Sequence, residues 1–188
     1  EELAFRKLLI DKLGQYNKVA AILISGIMFG LFHENLHQFF YAAAIGVFFG
    51  YIYSSTGRIR YSAMLHMMVN FMHGALPVII FKYFDLDMLN NISIEDAVTE
   101  EGQQAVMNLY TQPGFLLLML YSYFIVVILI VGLAFMIINL KKLKLDDTES
   151  PLRLGEAFPI AIKSIGMILF AVITVFVTVY DIILTNLK

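Results

Sequence analysis

Cysteine is missing from all 188 residues, which removes disulfides, thiolate metal sites and a cysteine nucleophile together. Tryptophan is missing as well, so an interfacial aromatic belt must be built from tyrosines such as Tyr51, Tyr53, Tyr61 and Tyr83. Charge is scarce: 15% of residues are Asp, Glu, Lys or Arg, against about a quarter in an average soluble domain. A formal net charge of -2 gives no basis for nucleic-acid binding, and no glycine-rich phosphate loop is present. The first residues lack a methionine, a basic leader and the apolar core of a signal peptide. The chain is therefore expected to be the downstream part of a longer protein. No repeat or low-complexity tract is evident.

What remains is apolar. Hydrophobic residues make up 60% of the chain and the mean hydropathy is +0.78. The expected fold is all-α, a polytopic transmembrane helical bundle of about five spans forming a single domain over 1–188. Residues 1–18 mix Glu1, Glu2, Arg6, Lys7, Asp11, Lys12 and Lys18 with leucines at helical spacing, which predicts the end of a helix and an amphipathic surface segment broken at Gly14 and Asn17. The apolar runs follow at 19–32, 39–53, 61–81, 114–140 and 159–184. The first is short for a crossing, and the second carries Gly46 and Gly50 at a spacing that permits close helix contact. An acidic stretch, 83–113, reads as a solvated extracytoplasmic loop with a helix start at Ser93 and Asp96. Lys and Arg fall on alternate loops: Arg6 to Lys18, Arg58 with Arg60, and Lys141 to Arg153. That asymmetry places 1–18 in the cytoplasm of what is expected to be a bacterial plasma membrane.

Polar groups at membrane depth are costly and usually face a protein interior or a wet cavity, so those within the apolar runs are candidate site residues. Glu2 and Arg6 are one helical turn apart and can pair, leaving Glu1 free as a base. The same spacing also suits an ordinary surface ion pair worth little. His66 and Asn70 share a face that His73 extends, and a ring nitrogen beside an amide donor is what an oxyanion hole needs. Interhelical hydrogen bonding explains that stripe equally well. His33-Glu34-Asn35-Leu36-His37 spells HExxH, in which His33 and His37 would bind zinc and Glu34 would act as base, provided the helix continues through His37 and a third ligand exists. Asn35 and the polar interruption argue that the helix ends near His33.

Three motifs, in order, resemble the CAAX prenyl protease and bacteriocin-processing (CPBP, or ABI) family of intramembrane proteases. They are Glu1-Glu2-Leu3-Ala4-Phe5-Arg6 for EExxxR, Phe29-Gly30-Leu31-Phe32-His33 for FxxxH, and His66-Met67-Met68-Val69-Asn70 for HxxxN, and the resemblance covers 1 to about 75. It implies an endopeptidase in which Glu1 and His33 activate water, His66 and Asn70 stabilise the oxyanion, and Glu2 and Arg6 are structural partners. The implied substrate is a membrane-associated peptide, whether prenylated, leader or signalling. The family's chemistry is described both as glutamate-dependent and as metal-dependent. A zinc or other divalent ion would then fall to Glu1, His33 and His66. Two other readings stand beside this one: an HExxH zinc protease, and a non-catalytic bacteriocin-immunity membrane protein that keeps the polar cluster for packing.

Overall fold

A computed structural model describes residues 1–85, 99–139 and 151–186, and among them the secondary structure is helical with no β-strand. The predicted helix start at Ser93 and Asp96 lies outside the described residues. Helix α1 is wound as a π-helix over Leu3–Ile10 and continues as an α-helix over Asp11–Gly14. It is followed by α2 (Lys18–Leu31), α3 (Leu36–Thr56) and α4 (Ile59–Phe81), the last π-wound over Phe71–Ala75. Then come α5 (Glu100–Thr111), α6 (Pro113–Asn139), α7 (Leu154–Ile162) and α8 (Ile165–Asn186).

Length and hydropathy make α3, α4 and the 113–135 part of α6 candidate membrane spans, and α7 with α8, bent by 69° at their junction, a fourth. The protein is an integral membrane protein, and among the described residues three or four candidate spans stand beside the five apolar runs. The difference lies at α2: fourteen residues rise roughly 21 Å, short of a hydrocarbon core of about 30 Å. The stretch 83–113, expected as a loop, holds α5. The Thr99 hydroxyl accepts from the Gly102 N–H at 3.0 Å and caps this largely polar helix.

The described residues form two compact units, one of 1–66 with 151–186, the other of 67–85 with 99–139. In the second, α5 and the start of α6 pack on the end of α4. Gly114 sits against Phe84, its N–H donating to the Tyr83 carbonyl at 3.1 Å. The Tyr121 hydroxyl donates to the Met72 carbonyl at 2.9 Å, within the π-wound turn where backbone pairing changes register.

The first unit is built on an antiparallel pair, α2 and α3. Asn17 caps α2, accepting from the Ala20 N–H at 2.8 Å, while its amide donates to the Leu152 carbonyl at 3.0 Å and ties in the segment before α7. The two helices touch through glycine: a Cβ on Gly46 would stand 3.0 Å from the Gly26 Cα, and one on Gly26 would strike Val47. Gly30 meets Ala43 in the same way. The small-residue pair read on α3 thus has a matching Gly26-xxx-Gly30 pair on α2. Phe5, Ala20, Ile24, Met28, Phe29 and Ala42 form the core, closed by Ala157 and Ala161 of α7. A Gly26→Ala change, which overpacks this seam, is expected to cost about 1–3 kcal/mol. An unchanged melting temperature in detergent would show that the seam is not tight.

Candidate active site

Residues 1–18, expected as the end of a helix and an amphipathic surface segment, bury one side of a helix. Phe5 and Ile10 enter the core and Arg6 is 0% exposed, while Lys7, Leu8 and Asp11 remain outside. Arg6 Nε stands 3.4 Å from Glu2 Oε2, so the pairing predicted from spacing exists. It is a buried pair, however, and the surface reading of it is overturned. Its alignment is short of a hydrogen bond, and Arg6 Nη2 has no protein partner. Arg6 Nη1 donates to Ser25 Oγ at 2.9 Å, and Ser25 passes its own proton to the Phe5 carbonyl at 2.8 Å. Burial pushes the guanidinium down from its ordinary range, and Glu2, then Glu1, pull it back.

The other side of Glu2 faces α4. Glu2 Oε1 lies 3.1 Å from His66 Nδ1, and Glu1 Oε2 lies 3.5 Å from His66 Nε2. One imidazole therefore stands between two carboxylates. The side chains of Glu2 and His66 are 9% and 12% exposed, and that of Glu1 is 38% exposed, so the Glu1 carboxylate is the one that meets solvent. Two phenyl rings wall the group. Arg6 lies over Phe29 at 4.7 Å and over Phe49 at 5.8 Å, and His66 packs on the same two rings at 5.3 and 5.7 Å. A cation on an aromatic face in a desolvated setting gains about 2 kcal/mol, which offsets part of the cost of burying it.

His33 arrives by a helix ending. The last carbonyls of a helix have no partner within it. Here the Phe32 N–H takes the Met28 carbonyl and the His33 N–H takes that of Gly30, so the Phe29 carbonyl is left over. His33 Nδ1 occupies it at 2.7 Å. A carbonyl only accepts, so Nδ1 carries the proton and a neutral His33 ring presents its lone pair at Nε2. The ring also edges the Phe29 ring at 4.8 Å between centroids. The FxxxH spacing is thus a capping device: it aims the imidazole from the end of α2 and seats it on the phenyl wall that His66 shares.

Glu34 follows with a left-handed φ of 53°, and Asn35 caps α3 by accepting from the Gln38 N–H at 3.1 Å. His33 therefore lies in the turn after α2, and His37 in the first turn of α3. The single helical face required for HExxH zinc binding does not exist, and Glu34 and His37 are exposed. Among the described residues no group of three His, Asp or Glu side chains is placed to hold a metal ion.

Asn70 is exposed and lies one turn after His66 along α4, across the boundary of the first compact unit. The stripe does not continue regularly to His73, because the helix is π-wound from Phe71 and its repeat widens there. Ser25 and Phe49 were missed from the sequence. Ser25 had a signal: it is a hydroxyl inside an apolar run, one turn before Phe29. Phe49 had none, being one phenylalanine among 16.

Neither a curated protein nor a solved structure matches the chain. The resemblance carried by the three motifs is shown for the segment that holds them: residues 1–72 match the model of the Rce1-like family, described as type II CAAX prenyl endopeptidase Rce1-like.

Proposed function

We propose that this chain is an intramembrane endopeptidase of the CAAX-protease type, hydrolysing a peptide bond of a membrane-associated peptide, and that it works with 1–18 at the cytoplasmic face of a bacterial plasma membrane. The observation that supports it most is the linked set Glu1, His66, Glu2 and Arg6, with His33 seated on the same Phe29 ring as His66. Three separated motifs converge on one phenyl wall, which a purely packing role would not require.

In this reading Glu1, the more open carboxylate, takes a proton from water while the Nε2 lone pair of His33 helps to orient it. The water oxygen bonds to the scissile carbonyl carbon, and His66 with Asn70 stabilises the oxyanion, Asn70 by its place in the HxxxN motif. Collapse breaks the C–N bond, and the proton held by Glu1 passes to the leaving amine. Glu2 and Arg6 hold His66 and the first helix. The substrate class follows from the matched family's description, a prenylated C-terminal peptide, with leader and signalling peptides the other candidates.

The test is cleavage of a farnesylated CAAX peptide by the purified protein in lipid vesicles. His66→Ala is expected to lower turnover by about 10²–10³-fold, the loss typical of an oxyanion donor. His37→Ala should leave most of it. If His66→Ala reduces stability and leaves turnover intact, the cluster serves packing and the peptidase reading fails.

A further inference from the structure

The corner where α3 turns into α4 is flanked by a pocket of about 420 Å³ lined by Lys7, Tyr53, Gly57, Arg58, Ile59 and Arg60. Gly57 joins two helices that are each long and apolar enough to cross a membrane, so this pocket opens at the boundary between lipid and water. We propose that it binds the phosphate of an anionic phospholipid headgroup. The assignment is independent of the peptidase reading.

Charge selects an anion. Three cations line the pocket, and among the described residues no carboxylate does. Asp11 is engaged beside it, 2.7 Å from Lys7 Nζ and accepting from the Tyr53 hydroxyl at 2.7 Å, so Lys7 is partly neutralised. Among the described residues, the two arginines are not. Each reaches the Tyr61 hydroxyl, Arg58 at 3.4 Å and Arg60 at 3.1 Å, and among the described residues neither has a carboxylate at ion-pairing distance. Tyr61 gathers both guanidiniums without cancelling their charge, and Arg60 also lies 4.9 Å over the Tyr61 ring. Planar guanidinium forks match phosphate oxygens two at a time.

Space and surroundings select a lipid. The backbone at Gly57 adopts φ 64°, and a Cβ there would meet nothing within 4 Å, so a headgroup can approach the main chain. One turn below Arg60 on α4, Met64 is 57% exposed and offers an apolar track for an acyl chain. Arg58 and Arg60 also lie on the Lys- and Arg-rich side of the chain, which faces the anionic leaflet, and basic pockets between membrane helices on that side suit anionic headgroups.

The experiment reconstitutes the full chain in phosphatidylcholine vesicles with and without phosphatidylglycerol and reads the lipid retained on the protein by native mass spectrometry. Retention of phosphatidylglycerol over phosphatidylcholine is expected, with a loss of roughly fivefold for Arg58→Gln or Arg60→Gln and about 25-fold for both, since one surface cation near an anionic leaflet contributes about that factor. The single variants keep the measurement available should the double variant fail to fold. Equal retention by wild type and variants would overturn the proposal. So would glycerol phosphate or inorganic phosphate displacing the lipid at low concentration, because the pocket would then read a free anion.

Discussion

Replacing Arg6 with leucine is expected to destabilise the protein by about 3–5 kcal/mol. The size follows from what is left behind. Removing one partner of a buried ion pair strands the other charge without compensation, whereas removing an exposed pair costs at most about 1 kcal/mol. Arg6 is 0% exposed and answers to Glu2, Ser25, Phe29 and Phe49 at once. Its loss leaves Glu2 with His66 alone and frees the Ser25 hydroxyl from its donor. Arg6→Lys keeps the charge but shortens the reach to Ser25 and loses the planar stack, so it should fall between leucine and wild type. Glu2→Gln combined with Arg6→Leu should recover part of the loss, because the stranded carboxylate is gone. A denaturant melt in detergent measures all three. A cost under about 1 kcal/mol for Arg6→Leu would mean that the pair is as weak as a surface one.

The sequence disclosed the pairs but not their surroundings. Glu2 with Arg6 and Phe29 with His33 are each four residues apart, and that spacing alone was enough to put them in contact. Their depth was not readable. Periodicity made 1–18 a surface segment, since leucines at 3, 8, 9 and 13 supply an apolar face whichever side is buried. The structure turns Phe5, Arg6 and Ile10 inward, and it winds 3–10 as a π-helix, whose repeat differs from the one assumed. The short α2 ends in a turn that carries His33, and from there as from α4 an imidazole reaches Phe29. The HExxH pattern failed for a local reason that was visible: Asn35, a strong capping residue, stands between its histidines and begins a new helix. Helix α5 went unread because the acidic composition of 83–113 outweighed a short apolar face, Val106, Leu109 and Tyr110 at helical spacing.

Glu1→Gln should lower turnover of a prenylated peptide by about 10²–10⁴-fold while shifting stability by no more than about 0.5 kcal/mol. Two adjacent carboxylates share His66, and the proposed mechanism divides the work between them by their surroundings. Glu2 is held on one oxygen by His66 at 3.1 Å and on the other by Arg6 at 3.4 Å, and its side chain is 9% exposed. A group so constrained can orient its neighbours but has little room for a reacting water. Glu1 has one longer contact, 3.5 Å to His66 Nε2, and a side chain 38% exposed. It can exchange that contact for water and carry a proton between water and the leaving amine. Glutamine preserves shape and removes the base, so the rate should fall at unchanged melting temperature. Glu2→Gln, by contrast, should lower both, because it weakens the hold on Arg6 as well as on His66. A Glu1→Gln enzyme of wild-type turnover, beside a stable but inactive Glu2→Gln, would reverse the two roles and make Glu2 the base.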